Sequence, residues 1–272
     1  MNPLDVIAEL LGEPADQMRN PANADYRCPF RNGPCIKISK TLEAPAPVCS
    51  VHRRQRSTDI VRRPPICTCP VRFFEADIAG DVIRECWVGP KPDHFEVVYE
   101  VKMEKFGKVD LVITQVSENR QHIQHFLPVE VQAVDITGTV LPAYIAITNN
   151  QPDAPGKYGF NWANVRKRFI SQLIAKGFYC HHWGTRIIAV VQEELYETFQ
   201  AHAKSPEVAM ADSNIVFMLY QFAWNETANR WQFSLKRIVP TTHVNVMNAI
   251  LYETPPSKEV FEAKLLNLIK AF

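Results

Sequence analysis

The chain has 272 residues, of which 46% are hydrophobic and 22% charged, and its formal net charge is +1. This is ordinary globular composition, which excludes fibrous and low-complexity classes and suits one large domain or two modest ones. No apolar run is long enough to span a bilayer. The chain begins without the basic and apolar regions of a secretory signal, so we expect a cytoplasmic protein that makes no use of a membrane.

Positive charge is concentrated in residues 27–63. Nine Lys and Arg stand there against two acidic residues, so this segment carries +7 and the remainder of the chain −6. Such asymmetry predicts a local surface that binds a polyanion. The alternative interpretation is a basic loop that is merely solvated.

Five of the seven cysteines lie within 42 residues, at Cys28, Cys35, Cys49, Cys67 and Cys69. In a reducing compartment such a cluster indicates a metal site more often than disulfides. Four thiolates around one ion suit zinc or iron. We predict Cys28, Cys35 and Cys49 as ligands. The fourth is Cys69 or Cys67, which are too close together for both to bind comfortably.

The N-terminal third is predicted to hold little regular structure. Asn2 is placed to cap a short helix, Pro3 to occupy its first position and Gly12 to end it. Residues 20–70 are rich in Pro, Cys and Arg and show no clear periodicity. We expect an irregular segment that a bound metal organises.

The rest of the chain predicts alternating helices and strands. The helices are predicted at residues 73–86, at 162–176 before Gly177, and after Ser257, and the strands at 95–101, 108–116, 126–136, 185–191, 215–222 and 231–238. The final helix is expected to bury an inner apolar face formed by Val260, Phe261, Leu265, Leu268 and Ile269. This order predicts an α/β fold with a mixed sheet flanked by helices.

Acidic residues recur on three successive predicted strands, at Glu100, Asp110 and Glu130. Asp110 stands inside the apolar run VDLVI, where a charge is costly unless it is paired or binds a cation. Alternation places Glu130 and Gln132 on one face of their strand. If the strands are neighbours, Asp110 and Glu130 converge on a hard cation such as Mg²⁺. The alternative is a surface strand whose acids point outward.

Magnesium held by two carboxylates indicates phosphodiester chemistry, because the ion polarises a phosphoryl oxygen and activates a bound water. The order of an acid followed by E-x-Q is close to the nuclease signature of an acid followed by E-x-K. Gln132 cannot act as a general base, but it can hydrogen-bond the attacking water or a phosphate oxygen. We therefore assign the base role to metal-bound hydroxide.

Three core segments, EVQAVDITG at 130–138, YEVK at 99–102 and GKVDLVI at 107–113, resemble the NotI-like type II restriction endonucleases, a branch of the PD-(D/E)XK nucleases. Its four-cysteine segment is similar to RCPFRNGPCIK at 27–37, PVCSV at 47–51 and CPVRF at 69–73. The resemblance covers about residues 2–190. It implies a PD-(D/E)XK core that follows a helix and a small four-cysteine segment at residues 1–70. We expect residues 71–272 to contain this core together with a C-terminal extension.

The resemblance also implies roles. Asp110, Glu130 and Gln132 form the catalytic set, with Glu100 as an additional acid and with Asp110 and Glu130 as the Mg²⁺ ligands. Cys69 becomes the favoured fourth thiolate, and iron the expected metal, although zinc stays open. The protein is then a homodimer that cleaves double-stranded DNA at a GC-rich palindrome.

Basic residues complete the predicted DNA interface. The loop between two cysteine ligands carries Arg53, Arg54, Arg56, Arg62 and Arg63. Their guanidinium forks suit guanine in the major groove, whereas contact with phosphates alone is the alternative. Arg166 and Lys167, on the helix at 162–176, are expected to touch the DNA backbone unless that helix face is simply solvated.

Two other functions remain open on the sequence. One is a DNA-binding regulator that recognises its site with the four-cysteine segment and whose nuclease core is inactive. The other is a repair nuclease that recognises DNA structure rather than sequence.

Overall fold

The structure, a computed structural model, describes all residues except 19, 54–62, 156, 253–254, 256 and 270–272. In the part of the chain that it describes, no helix is long and apolar enough to cross a membrane.

Short strands make up most of the regular structure in the N-terminal region. They are β1 Ile7–Leu10, β2 Glu13–Pro14, β3 Arg27–Cys28, β4 Gly33–Pro34, β5 Ile38–Ser39, β6 Ala44–Pro45, β7 Val48–Val51 and β8 Ile66–Cys67, with 3₁₀ helices at Pro3–Asp5 and Pro21–Ala24. The order β2-β1-β7-β8 forms one small sheet, whereas β3–β4 and β5–β6 are separate pairs.

The predicted N-terminal helix is wrong beyond its first turn. The Asn2 side chain accepts a hydrogen bond from the Leu4 backbone N–H at 3.1 Å, as expected, but the 3₁₀ turn ends at Asp5 and β1 follows. All four residues of β1 are buried. Periodicity cannot distinguish so short an apolar run from a strand, and pairing with β7 decides in favour of the strand.

The remaining elements alternate between helices and strands. They are α1 Ile78–Cys86, β9 Glu96–Lys102, β10 Lys108–Val116, β11 Ile123–Gln132, β12 Ile136–Gly138, α2 Leu141–Thr148, β13 Tyr158–Phe160, α3 Trp162–His182, β14 Ile187–Gln192, α4 Glu193–Gln200, β15 Ile215–Asn225, β16 Arg230–Thr241, α5 His243–Leu251 and α6 Lys258–Ile269. A 3₁₀ helix, Pro70–Glu75, precedes α1, and two further 3₁₀ helices lie at Glu104–Phe106 and Met210–Asp212.

Six of these strands form the central sheet, in the order β16-β15-β14-β11-β10-β9. β14 runs parallel to both of its neighbours, β11 and β15, whereas the outer pairs are antiparallel. The sheet is therefore mixed and flanked by helices, which confirms the predicted α/β class.

Apolar clusters cover both faces of this sheet. Ile187, Ala189 and Val191 of β14 pack in the cluster that contains α3 and α4, whereas Ile188 and Val190 pack in the cluster that contains α1. Successive side chains of a strand point to opposite faces. A strand buried on both faces reads as a continuous apolar run, which is why residues 185–191 were recognisable as a core strand.

A third apolar cluster joins the N-terminal sheet to α2. Val6, Leu10 and Val51 pack there with Tyr144 and Ile147 of α2. The small sheet thus shares its core with a helix from beyond residue 70. The predicted division into residues 1–70 and 71–272 stays a prediction.

The predicted inner face of the last helix is wrong for the single chain. α6 is present, and the Val260 backbone N–H donates to the Ser257 hydroxyl. None of its residues is buried, however, and Phe261 is 59% exposed. Apolar spacing identified the helix, but it could not show whether another element covers it.

Candidate active site

The central sheet brings two of the predicted acids together. Asp110 lies on β10 and Glu130 on β11, and the antiparallel register that pairs Leu111 with Val129 sets these two acids side by side. Both are half-buried. The neighbouring apolar residues on the two strands are buried in the core, so the sheet fixes where the carboxylates lie.

Asp110 is held by the backbone of the adjacent strand. The Val131 N–H donates to Asp110 Oδ2 at 2.6 Å. Burial raises the pKa of Asp110, while the Val131 hydrogen bond and the charge of Lys176 act in the opposite direction. The carboxyl is therefore partly dehydrated, which favours binding of a cation.

Glu130 is held by a lysine that the sequence motifs did not indicate. Lys176 Nζ on α3 lies 2.7 Å from Glu130 Oε2 and donates to the Lys108 carbonyl at 2.8 Å. Burial raises the pKa of Glu130, Lys176 lowers it and Asp110 raises it further. Two like charges and one cation thus lie together where β10 begins and β11 ends.

A signal for Lys176 was present in the sequence. It occupies the inner stripe of α3, in line with Phe169, Leu173 and Cys180, which are all buried. A lysine at an apolar helical position is unusual unless it has a partner inside the protein. The partner could not be named, because Glu130 is 46 residues away in sequence.

Gln132 and Glu100 are placed less centrally. The Gln132 amide Nε2 donates to the neighbouring Ala133 carbonyl at 2.5 Å. The Glu100 side chain is 75% exposed and pairs with Lys108 at 3.0 Å. Its charge raises the pKa of Asp110, so Glu100 lies within electrostatic range of the carboxylate pair without belonging to it.

The clustered cysteines lie near one another. Burial raises the pKa of Cys35, and Cys69 and Cys28 raise it further. Burial also raises the pKa of Cys49, with additional contributions that include Cys69 and Cys67. Cys69 is thus the common neighbour. Within the described ranges, however, no group of three or more His, Cys, Asp or Glu is arranged so that it could hold a metal ion.

Cys67, the alternative fourth ligand, has contacts within the protein. The Cys67 backbone N–H donates to Gln192 at 2.9 Å, its thiol lies 3.2 Å from the Cys69 carbonyl, and its side chain packs in the core with Phe73. The Cys67 thiol is therefore buried and hydrogen-bonded to the backbone. Cys35 accepts a hydrogen bond from the Lys37 backbone N–H at 3.5 Å, a contact that suits a thiolate.

The predicted basic residues are only partly described. Arg54, Arg56 and Arg62 lie outside the described residues. Arg53 is half-buried, 3.9 Å from Glu194, and its guanidinium stands over the ring of Trp162. Among the others, Arg63 and Lys167 are exposed, whereas Arg166 is half-buried and lines an apolar cavity of about 30 Å³ beside Tyr196.

Comparison with known proteins gives one family. The family model described as restriction endonuclease NotI matches residues 15–233, a range that includes the five clustered cysteines, Asp110, Glu130 and Lys176. No curated protein matches the chain.

Proposed function

Because the chain belongs to the NotI restriction endonuclease family and is a site-specific deoxyribonuclease, we propose that it hydrolyses double-stranded DNA with Mg²⁺ at Asp110 and Glu130. The observation that supports this site is the pair of half-buried carboxylates on adjacent strands, each held by a hydrogen bond from the protein. As a type II enzyme it acts on DNA inside the cell, so we place it in the cytoplasm.

The donor set fits Mg²⁺. This ion takes one or two protein carboxylates and completes its shell with water and substrate phosphate, so two acids suffice. When bound, it polarises the scissile phosphate and activates a water. The protein fixes the two carboxylates through the Val131 N–H and Lys176.

Gln132 has an orienting role in this proposal. Its amide carries no basic lone pair, so the side chain positions water or phosphate by hydrogen bonding and does not take the proton. Glu100 is at most an auxiliary acid, because its carboxylate lies in solvent beside Lys108. The products carry 5′-phosphate and 3′-hydroxyl ends.

We assign recognition of a GC-rich palindrome to a homodimer. Two-fold symmetry of a protein matches two-fold symmetry of a DNA site. The arginines between Cys49 and Cys67 supply donors for guanine, and Arg166 and Lys167 supply phosphate contacts. Sedimentation of the full chain tests the dimer, since a monomer at working concentrations contradicts it.

One digest tests activity and specificity together. Phage DNA is incubated with the full chain and Mg²⁺, and the fragment ends are mapped. Discrete fragments with common ends are expected. Asp110→Asn should abolish cutting, whereas Asp93→Asn, a change at an exposed acid, should not. No cutting by wild type favours the regulator, and a smear favours a structure-specific nuclease.

For the cysteine segment we propose a structural iron or zinc site formed by Cys28, Cys35, Cys49 and Cys69. Such a site would tie together β3, β7 and the segments that follow β4 and β8, where these cysteines lie. Iron is our choice, by resemblance.

Purified protein containing thiolate-bound iron should absorb visible light. Cys69→Ser should lose both the metal and the absorbance, whereas Cys86→Ser, a change at a buried cysteine of the apolar core, should keep them. A colourless protein with stoichiometric zinc excludes iron, and a metal-free wild type excludes the site.

A further inference from the structure

Lys176 is an ammonium buried beside the carboxylate pair. Its side chain is 1% exposed, and Nζ contacts Glu130 Oε2 and the Lys108 carbonyl. Burying an ammonium costs free energy unless it is paired, and a well-packed apolar residue would often serve stability as well or better. Leu173 and Cys180, one turn away on either side, show that an apolar residue suits this stripe. Packing alone does not explain the lysine.

Lys176 also supplies a positive charge that the motif on β11 lacks. In the E-x-K pattern the cation is two residues after the glutamate, but here that position is Gln132. Its amide nitrogen donates a hydrogen bond to the Ala133 carbonyl. In the described part of the chain, the ion pair of Glu130 is made by Lys176. The charge missing from β11 is therefore supplied by α3.

We propose that Lys176 is a positioning residue of the active site, replacing from α3 the strand lysine of E-x-K nucleases; this rests on the nuclease function proposed above. Lys176 acts through Glu130. It holds one carboxylate oxygen and so fixes the orientation of the group. Its charge also offsets the repulsion that two adjacent acids exert on an approaching DNA phosphate.

Three variants of the full chain test this role. Lys176→Met removes the charge, Lys176→Arg keeps it, and Lys236→Met is the control. Lys236 also pairs with a glutamate, Glu193, at 2.6 Å, but on the surface. Three properties are measured: DNA cleavage as kcat and KM on an oligonucleotide with the mapped site, Mg²⁺ binding to the DNA-free protein by calorimetry, and folding by circular dichroism.

We expect Lys176→Met to lower kcat by about 100-fold or more with little change in KM. Mg²⁺ should still bind the DNA-free variant, within a few-fold of wild type, because losing the contact that orients Glu130 weakens binding whereas losing a neighbouring cation strengthens it. Lys176→Arg should recover most of the lost rate, and Lys236→Met should match wild type.

Two results overturn the proposal and leave the nuclease function standing. One is a Lys176→Met variant that cuts as fast as wild type. The other is a variant that loses Mg²⁺ binding together with activity, since that shows a collapsed site. If wild type itself does not cut, the proposed function fails and this role with it.

If Lys176→Met does not fold, Lys176→Gln replaces it. Glutamine still hydrogen-bonds Glu130 but brings no charge. The Lys176→Arg variant should then cleave DNA about tenfold faster or more than Lys176→Gln, since both side chains donate hydrogen bonds but only arginine carries a charge. Equal rates for the two variants overturn the proposal.

Discussion

At the scale of single residues, the proposed site consists of charged groups in apolar surroundings. Asp110 and Glu130 were predicted because each interrupts a strand whose neighbours are apolar. Burial raises the pKa of both carboxyls. Such groups bind their protons more tightly in the folded chain than in the unfolded one, so their ionisation destabilises the fold. The two acids are thus a local cost to stability, which the cation that we propose there would relieve.

The pH dependence of stability follows from these directions. For a carboxyl whose pKa is raised by folding, the stabilising contribution is complete below the unfolded pKa, about 4, and is lost as pH rises through the folded pKa. Asp110→Asn removes one such ionisation and keeps an oxygen that can accept from Val131. At pH 7 without divalent cations, we expect the free energy of unfolding of this variant to exceed that of wild type by an amount on the order of 1 kcal/mol.

Thermal unfolding measured between pH 4 and pH 7 checks this. The difference between Asp110→Asn and wild type should shrink toward pH 4, and Mg²⁺ should stabilise wild type more than the variant. Asp93→Asn should follow wild type throughout. A variant less stable than wild type at pH 7 contradicts the assignment of Asp110 as a buried, ionised acid.

At the scale of elements, α3 shows how packing overrides a local ending signal. Gly177 was predicted to end this helix, but α3 continues to His182. A Cβ on Gly177 would lie 2.7 Å from Cγ1 of Ile215 on β15. The glycine therefore allows close contact between helix and sheet, next to Lys176 in the chain.

Gly177→Val should destabilise the protein by about 1–3 kcal/mol, because the added atoms overpack the contact with Ile215. Chemical denaturation measures the change. Gly33→Ala is the control, since a Cβ there meets no atom within 4 Å. A valine variant as stable as wild type would contradict this, because it would show that α3 can move away from β15. DNA cleavage by that variant should then fall, because Lys176 moves with the helix.

At the scale of the whole molecule, one buried arginine connects distant segments. The Arg72 side chain, 0% exposed, pairs with Glu9 of β1 at 3.0 Å and with Glu75 at 2.6 Å. It also donates to the Trp231 carbonyl of β16 at 2.7 Å. The small N-terminal sheet is thereby joined to one edge of the central sheet.

Arg72 and Glu9 should act as one unit in the stability of the protein. We expect Glu9→Met and Arg72→Met each to lower the free energy of unfolding by about 3 kcal/mol, because a buried charge is left without its partner. The double variant should cost less than the sum of the two.

Denaturant unfolding of the four proteins in this cycle measures the coupling. Glu13→Ala is the control, since Glu13 pairs with Arg230 in a half-exposed ion pair and should change stability by less than about 1 kcal/mol. Strict additivity of the two core substitutions would show that the pair does not act as a unit.

The sequence by itself determined the α/β class and the positions of the central strands, and it singled out Asp110 and Glu130 as acids inside apolar strands. These follow from local rules. Strand periodicity and continuous apolar runs appear within a few residues, and a charge inside such a run is conspicuous. The sequence also identified the cysteine cluster and the basic segment, which depend on composition alone.

Only the tertiary structure decided what depends on distant partners. Pairing with β7 made β1 a strand, contact with β15 carried α3 through Gly177, and the fold brought Lys176 to Glu130. In each case the local pattern is compatible with more than one structure, and burial against a residue far away in sequence selects among them. Because that burial is set by the whole chain, the cation beside the predicted acids could be named only once the sheet and α3 were placed.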